Sequence, residues 1–426
     1  MISEPPEAPK EAPKEAYVWV WLPGQTQPVV AGRLAPEGRT LQFNYGRSYL
    51  ARADAIPLYE PELPLRAGAL PLPADLTMPS ALRDAAPDAW GRRVILNRLS
   101  GTGAADPGEL AYLLQSGSDR IGALDFQTSP SKYVPRSAPA ASLEHLIDAA
   151  RLVEEGVPLP PDLDAALLHG SSIGGARPKA LIDDGSEKYI AKFSSSADLR
   201  SVVKAEFIAM RLAALAGIDA APVRLTHVAG KDVLLIRRFD RCKAQEGWQR
   251  RAMVSALTLL GLDEMMARYA SYQELATVIR HRFTDPKPTL RELFSRLVFN
   301  ILSGNTDDHA RNHAAFWDGQ LSLTPAYDIC PQGRAGREAS QAMLIDGDRR
   351  MSQLSLCLDA APTFLISRED ATAIAIRQIT TIKREWQSVC DEAALSTVDR
   401  TLLWRRQFLN PYAFEGAPET LTELVG

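Results

Sequence analysis

Residues 305–312 read Asn-Thr-Asp-Asp-His-Ala-Arg-Asn, so carboxylate, imidazole, guanidinium and amide groups crowd into one short stretch. Asp307 and Asn312 have the D-x-x-x-x-N spacing in which a carboxylate accepts the proton of an acceptor hydroxyl and an amide oxygen holds Mg²⁺. A short hairpin turned at Asp318-Gly319 follows, and then Tyr327-Asp328. Asp328 adds a second oxygen donor, and Mg²⁺ takes one or two carboxylates beside phosphate oxygens. Upstream, Gly170, Gly174 and Gly175 with Ser171 and Ser172 make a loop whose backbone N–H groups can close around phosphate, because glycine permits φ > 0 and close approach. The loop lacks G-x-x-x-x-G-K-[ST] and is no Walker loop. Lys192 sits inside the apolar run 189–193, and Glu206 lies between Val203 and Phe207 on the next helical pattern. A strand lysine with a helix glutamate grips nucleotide phosphates in phosphoryl-transfer enzymes. In chain order the set is glycine-rich loop, strand lysine, helix glutamate, Asp-x4-Asn and Asp, and it spells phosphoryl transfer.

Simpler assignments remain for each residue alone. Lys192 and Glu206 also suit surface side chains, Asp328 a turn aspartate, and the glycine cluster a plain connection. A different chemistry stays open too: Asp307, Asp308, His309 and Asp328 as ligands of a metal that activates water. It gives the glycine loop and Lys192 no task.

The elements that must hold these residues follow from patterning. The dense β-forming run 17–21, with 29–34 and 41–45, predicts an antiparallel meander. Residues 81–99 pattern as a helix and 119–126 as a returning strand. The run 143–154 is helical, and 179–182 with 189–193 form strands around an Asp184-Gly185 hairpin turn. The helix 201–216 buries Val203, Phe207, Met210 and Ala214 and closes at Gly217. Strands over 223–228 and 232–239 precede a mostly helical remainder, with helices over 272–281, 290–303, 370–389 and 398–408. The expected organisation is a disordered tail 1–16, an N-terminal domain 17–130, a β-rich lobe 131–250, a helical lobe 251–415 and a tail 416–426. Residues 330–350, with Gly333, Arg334, Gly336, Arg337, Arg349 and Arg350, read as a mobile basic segment.

Composition narrows the class. The chain has 426 residues, 46% hydrophobic and 23% charged, enough apolar surface for two or three domains. Lys+Arg 48 against Asp+Glu 52 leaves a net charge of −4, which argues against a strongly basic nucleic-acid scaffold. No apolar run reaches a membrane span, and residues 1–16 lack a signal pattern. Cys242, Cys330, Cys357 and Cys390 are scattered without a C-x-x-C pair, as in a soluble protein of a reducing compartment. A cytoplasmic protein without membrane contact is expected.

On residues 80–92, 117–124, 172–179, 307–312 and 327–328 the chain resembles the HipA family, serine/threonine kinases that act as toxins of bacterial toxin–antitoxin pairs. The resemblance covers almost everything after the tail. It implies an α+β, protein-kinase-like bilobal fold, a small β-rich lobe and a larger all-α lobe preceded by a small mixed α/β N-terminal domain. It implies ATP and Mg²⁺ as cofactors, Asp307 as the base, Asn312 and Asp328 on the metal, and Lys192, paired with Glu206, on the ATP phosphates. The nucleotide would also meet Ser172, Ile173, Gly174, Gly175, Ala176, Lys179 and His309, with the backbone of Arg237 and Phe239 against adenine. The resemblance further implies inhibitory autophosphorylation of Ser172 or the adjacent Ser171. As partners it implies a protein substrate connected with translation, a HipB-like DNA-binding antitoxin, and DNA reached through that complex; a homodimer within the complex is allowed. Trp90, in Pro87-Asp88-Ala89-Trp90-Gly91, reads as packing rather than ligand contact. Three alternatives remain: a small-molecule kinase, a metal-dependent phosphohydrolase, and a non-catalytic scaffold that binds a repressor.

Overall fold

The computed structural model describes residues 13–73, 76–99, 107–137, 141–160, 163, 164, 167, 177–195, 198, 200–334 and 336–426. The chain divides into two compact units. One comprises Met1–Ala197, His227–Val254 and Trp317–Gly319, and the other Asp198–Thr226, Ser255–Phe316 and Gln320–Gly426.

The first unit opens with the expected meander. Strands β1 (Ala16–Val20), β2 (Val29–Glu37) and β3 (Thr40–Tyr45) are joined by β4 (Leu124–Gln127) in the order β3-β2-β1-β4, with the β1–β2, β2–β3 and β1–β4 pairs antiparallel. Alternation puts Val18, Val20, Leu34, Phe43 and Phe126 into one core. The chain engages this sheet earlier than expected, since Ala16 is fully buried and Glu15 pairs with Arg33. The helix expected over 81–99 is two pieces, Ser80–Arg83 and Ala89–Leu99. Pro87 between them lacks an N–H and pushes Ala86 away from helical geometry.

A second core in the same unit gathers Trp90, Val94, Leu146, Ile147, Val153, Phe193, Val233 and Leu235. It underlies β5 (Lys179–Asp183), β6 (Lys188–Phe193) and β8 (Lys231–Arg237), in the sheet β5-β6-β8-β7 with β7 at Val223–Val228. The β5–β6 hairpin turns at Gly185, whose φ of +87° suits the Asp-Gly signal. Trp90 is 2% exposed and donates its Nε1 proton to the Lys179 carbonyl at 3.1 Å, the packing role expected of it.

The second unit is built on helices Val202–Leu215, Tyr272–Arg282, Pro286–Ser303 and Arg368–Glu392. It is not purely α, because it also carries residues 314–316 of one hairpin strand and the partner strand Leu321–Leu323. Pro286 opens its helix at a position where the missing N–H costs nothing. Helix Thr397–Leu403 stops short of the expected 398–408, followed by Arg405 at φ +64°. Residues 416–426 are packed rather than loose: they include the helix Glu419–Thr422, and Leu421 is fully buried. No helix among the described residues is long and apolar enough to cross a membrane.

Helix Pro286–Ser303 ends at Gly304, whose φ of +71° and backbone bond from Asn305 N–H to the Asn300 carbonyl (2.8 Å) turn the chain out of the helix. A Cβ there would lie 2.8 Å from the Gln407 carbonyl oxygen. Gly304→Ala therefore meets both a left-handed penalty and a backbone clash, and should lose about 2 kcal/mol or more of stability. Urea unfolding checks this, and an unchanged midpoint contradicts it.

Candidate active site

The loop after Gly304 is held from below. Asn305, 2% exposed, donates its side-chain amide to Asn300 Oδ1 at 3.0 Å and lends its carbonyl to Gln341 Nε2 at 3.0 Å. Two residues on, the adjacent aspartates part ways. Asp308 is 1% exposed and sits between Tyr272, whose hydroxyl donates to Oδ2, and His313, whose Nε2 lies 2.9 Å from Oδ1. Tyr272 and His313 also touch each other, hydroxyl to Nε2 at 3.2 Å. Burial pushes the Asp308 carboxyl up, but His313, Tyr272 and Asn300 outweigh it and hold the group below its ordinary value. An extended backbone alternates its side chains, so anchoring Asp308 inward leaves Asp307 facing outward, where it is exposed.

Asp307 is steadied through its backbone. Its carbonyl accepts from Asn312 Nδ2 at 3.1 Å and from His309 N–H at 2.9 Å, closing the Ala310–Asn312 turn. The Asp307 carboxyl is raised above the usual carboxylate range; partial burial is the first cause, His309 opposes it, and the charges of Asp328 and Asp308 add to it. Asp328 is thus close enough to be felt by Asp307. Its own φ is +59°, a left-handed backbone that Asp and Asn tolerate better than other side chains. Tyr327 fixes the approach, its hydroxyl donating to the Arg311 carbonyl at 2.7 Å. The segment just before is tied to helix Pro286–Ser303 by Arg296, which donates to the Thr324 carbonyl at 2.9 Å. Asp307, His309 and Asn312 therefore share one turn, and the charge of Asp328 is felt there.

The buried triad was not visible in the sequence, because Tyr272 and Asp308 are 36 positions apart. It also bears on the hydrolase alternative. Asp308 is held within the protein by Tyr272 and His313, and among the described residues no three His, Cys, Asp or Glu side chains gather as a metal site. Tyr272→Phe removes one donor from a buried carboxylate, which should destabilise the protein by about 1–3 kcal/mol in a denaturant titration. A variant as stable as the parent shows that the hydroxyl does not support Asp308.

Residues 330–350 depart from expectation. Met343 and Ile345 are fully buried, Ala342 N–H donates to the Thr306 carbonyl at 3.0 Å, and Gln332 N–H to the Gly304 carbonyl at 2.9 Å. Backbone bonds thus tie Gln332 and Ala342 to the 304–306 turn and Met343 and Ile345 are buried, whereas Arg337 stays exposed; the arginines drew attention away from those apolar residues.

The remaining expected residues lie as follows. Glu206 is 2% exposed on helix Val202–Leu215 in the second unit. Lys192 belongs to the first unit, 9% exposed on β6 opposite Lys179 of β5. Lys179 is 1% exposed, with Nζ 2.8 Å from Asp88 Oδ2. Arg237 ends β8 and points its guanidinium outward to Glu187 at 2.8 Å, and Phe239 is half-buried. Ser171, Ser172, Ile173, Gly174, Gly175 and Ala176 lie outside the described residues.

Sequence reasoning also missed the charges around Arg237 and Phe239. Arg238 and Arg241 are buried against Asp119, with Arg238 Nη1 and Arg241 Nη2 at 3.0 and 2.8 Å from Asp119 Oδ1. Both also pair with Asp240. The alternating charges of Arg237-Arg238-Phe239-Asp240-Arg241 were the available signal.

A sheet-bearing part and a helical part carrying an Asp-x4-Asn turn followed by a hairpin and Asp328 define an α+β fold of the protein-kinase-like class. Comparison with known proteins narrows this. The HipA-like C-terminal domain matches residues 171–393 and the HipA N-terminal domain matches residues 20–127. The chain belongs to the HipA family. It is 26% identical over 188 residues to the serine/threonine-protein kinase toxin HipA of Shewanella oneidensis, covering 37% of this chain and 42% of that protein. Y4mE of Sinorhizobium fredii is 26% identical over 184 residues, 42% of this chain and 43% of that protein. The matched region thus spans about half the length of the curated relatives or somewhat less. In fold, the chain is similar to one from the Shewanella oneidensis MR-1 complex of HipA, HipB and operator DNA, with a TM-score of 0.68 and 20% identity over 93% of this chain and 97% of the other.

Proposed function

We propose that the chain is an ATP- and Mg²⁺-dependent serine/threonine-protein kinase, the toxin of a HipA/HipB-like pair. The observation that carries this reading is the parting of Asp307 and Asp308: one carboxylate is buried as an anchor, and its neighbour is presented on a turn closed by Asn312, within electrostatic reach of Asp328. A raised carboxyl suits a group that must take a proton from a hydroxyl. Asp307 accepts the proton of the acceptor serine or threonine as its oxygen bonds to the γ-phosphorus, and the bond from that phosphorus to the bridging oxygen breaks to release ADP. Catalysis of this kind rests on positioning and charge neutralisation.

The donor set fits Mg²⁺. Asn312 uses its Nδ2 on the Asp307 carbonyl, which turns its amide oxygen toward other work, and Asp328 adds a carboxylate; two hard oxygen donors plus phosphate are what this ion takes. When bound, the ion offsets charge on the phosphate oxygens. His309, whose Nδ1 has no hydrogen-bond partner among the described residues, is offered to phosphate as well. On the family resemblance, Lys192, Glu206 and the glycine-rich sequence 170–176 are assigned to the phosphates, and the backbone of Arg237 and Phe239 to adenine. A phosphate on Ser172 or Ser171 adds about −1.5 to −2 charge and would compete with ATP for the loop amides, so autophosphorylation there is inhibitory. The similarity to a chain from a HipA–HipB–DNA complex supports a HipB-like antitoxin as partner, with DNA reached through it.

The test is incubation with γ-labelled ATP and Mg²⁺, followed by intact mass and site mapping, for the parent and Asp307→Asn. Label on the parent protein alone supports the kinase. Free phosphate without protein label supports hydrolysis and overturns it.

A further inference from the structure

Two acidic side chains from the N-terminal 130 residues reach the two stretches assigned above to opposite ends of the nucleotide, and all of these groups lie within the first compact unit. Asp88 opens helix Ala89–Leu99, with Oδ1 accepting from Gly91 N–H at 2.7 Å and Oδ2 2.8 Å from Lys179 Nζ. Lys179 is the first residue of β5, three positions beyond the glycine-rich loop, and Trp90 holds its carbonyl. Asp119 carries three cations: Arg238, Arg241, and Lys188 with Nζ 2.5 Å from Oδ2. The backbone around it is engaged by the same segment. Gly122 N–H donates to Asp240 Oδ2 at 2.8 Å, and the Gly122 carbonyl accepts from Arg241 Nη1 at 2.8 Å. Gly122 has φ +75°, and a Cβ on it would come within 3.3 Å of Met253 N, so both conformation and space ask for glycine.

We propose that Asp88 and Asp119 are positioning residues for the nucleotide: Asp88 sets the strand leaving the glycine-rich loop, and so the phosphate end, while Asp119 sets residues 237–241, and so the adenine end. Buried ion pairs such as these often stabilise a fold no better than apolar packing of the same volume. What they do supply is a fixed register, since the charges of Asp119, 6% exposed, and Lys179, 1% exposed, can sit only where their partners are. Burial alone would raise the Asp119 carboxyl, yet Arg238 and Arg241 hold it well below the ordinary range. A misplacement of about 1 Å costs up to about 100-fold where geometry sets binding and rate, so an anchor outside the site can control it.

The inference rests on the reading of the chain as an ATP-dependent kinase, and the test separates the two. Calorimetric titration of the full chain with adenosine and with Mg-ATP compares the parent, Asp88→Asn and Asp119→Asn. Asp88→Asn is expected to weaken Mg-ATP about ten-fold and adenosine less than about two-fold, whereas Asp119→Asn weakens both about ten-fold. Titrations are run well below the melting temperature of each variant, so that a general loss of stability lowers the melting temperature and leaves the affinity of the folded protein unchanged. Equal shifts for both ligands in Asp88→Asn, or no shift in either variant, overturn the proposal. A parent that binds neither ligand overturns the kinase reading and this proposal with it. If Asp119→Asn does not fold, Lys188→Gln removes one of the three cations and should weaken adenosine about three-fold; an unchanged affinity then overturns the adenine half.

Discussion

Asp307→Asn should slow phosphoryl transfer by about 10³-fold while changing ATP affinity less than about two-fold, because removing a positioned general base typically costs 10²–10⁴. The substitution keeps shape and volume and removes only the ability to accept a proton. Its structural cost is small for three reasons visible in the turn. The side chain is exposed; the bonds from Asn312 and His309 go to the backbone carbonyl, which asparagine retains; and the loop is fixed by Asp308, which is untouched. Surface changes of this kind usually stay within about 0.5 kcal/mol. Single-turnover transfer from labelled ATP, with binding measured separately, provides the check. A variant that keeps more than a tenth of the parent rate shows that the proton goes elsewhere.

That prediction depends on a distinction the sequence alone could not make. Asp307 and Asp308 are adjacent and chemically identical, and the D-x-x-x-x-N spacing is the only local reason to prefer the first. The structure distinguishes them through Tyr272 and His313, which claim Asp308, and Tyr272 arrives from a different helix. Local signals did carry a good deal. Gly304, Gly217 and Gly185 each stand at a positive φ where a helix end or hairpin was expected, and the β-forming runs 17–21 and 41–45 became strands facing a common core. These features were legible because each is decided within a few residues. The charge cluster around Asp119 was not, since its partners are about 120 positions away. The burial of residues 330–350 was hidden for another reason. The apolar run Ala342-Met343-Leu344-Ile345 was a local signal that the arginines around it outweighed, and the backbone bonds to Gly304 and Thr306 join positions too far apart to read locally. Pro87 was a local signal that the hydrophobic pattern of 81–99 outweighed.

Asp328 offers the second large effect, and its backbone dictates which substitution is informative. Alanine there would have to adopt φ +59°, adding roughly 1–2 kcal/mol of strain unrelated to chemistry. Asparagine tolerates the left-handed region as aspartate does, so Asp328→Asn isolates the loss of one negative charge. Expected is a fall in transfer of about 10³-fold, the several kcal/mol by which metal-centred charge neutralisation lowers such barriers, together with a rise in the Mg²⁺ concentration giving half the maximal rate. The metal-free protein carries a further signature. The Asp328 charge is one of the groups that raise the Asp307 carboxyl, acting after burial and beside Asp308. Without Mg²⁺, the Asp307 carboxyl of Asp328→Asn should therefore ionise at lower pH than that of the parent, while a carboxyl unconnected with Asp328 would not move. NMR titration of the two metal-free proteins reads that shift, and transfer rates against Mg²⁺ concentration read the loss of the ligand. A full-rate Asp328→Asn, or an Asp307 titration that stays fixed or moves up, removes Asp328 from the site and with it the electrostatic coupling that joins the two loops.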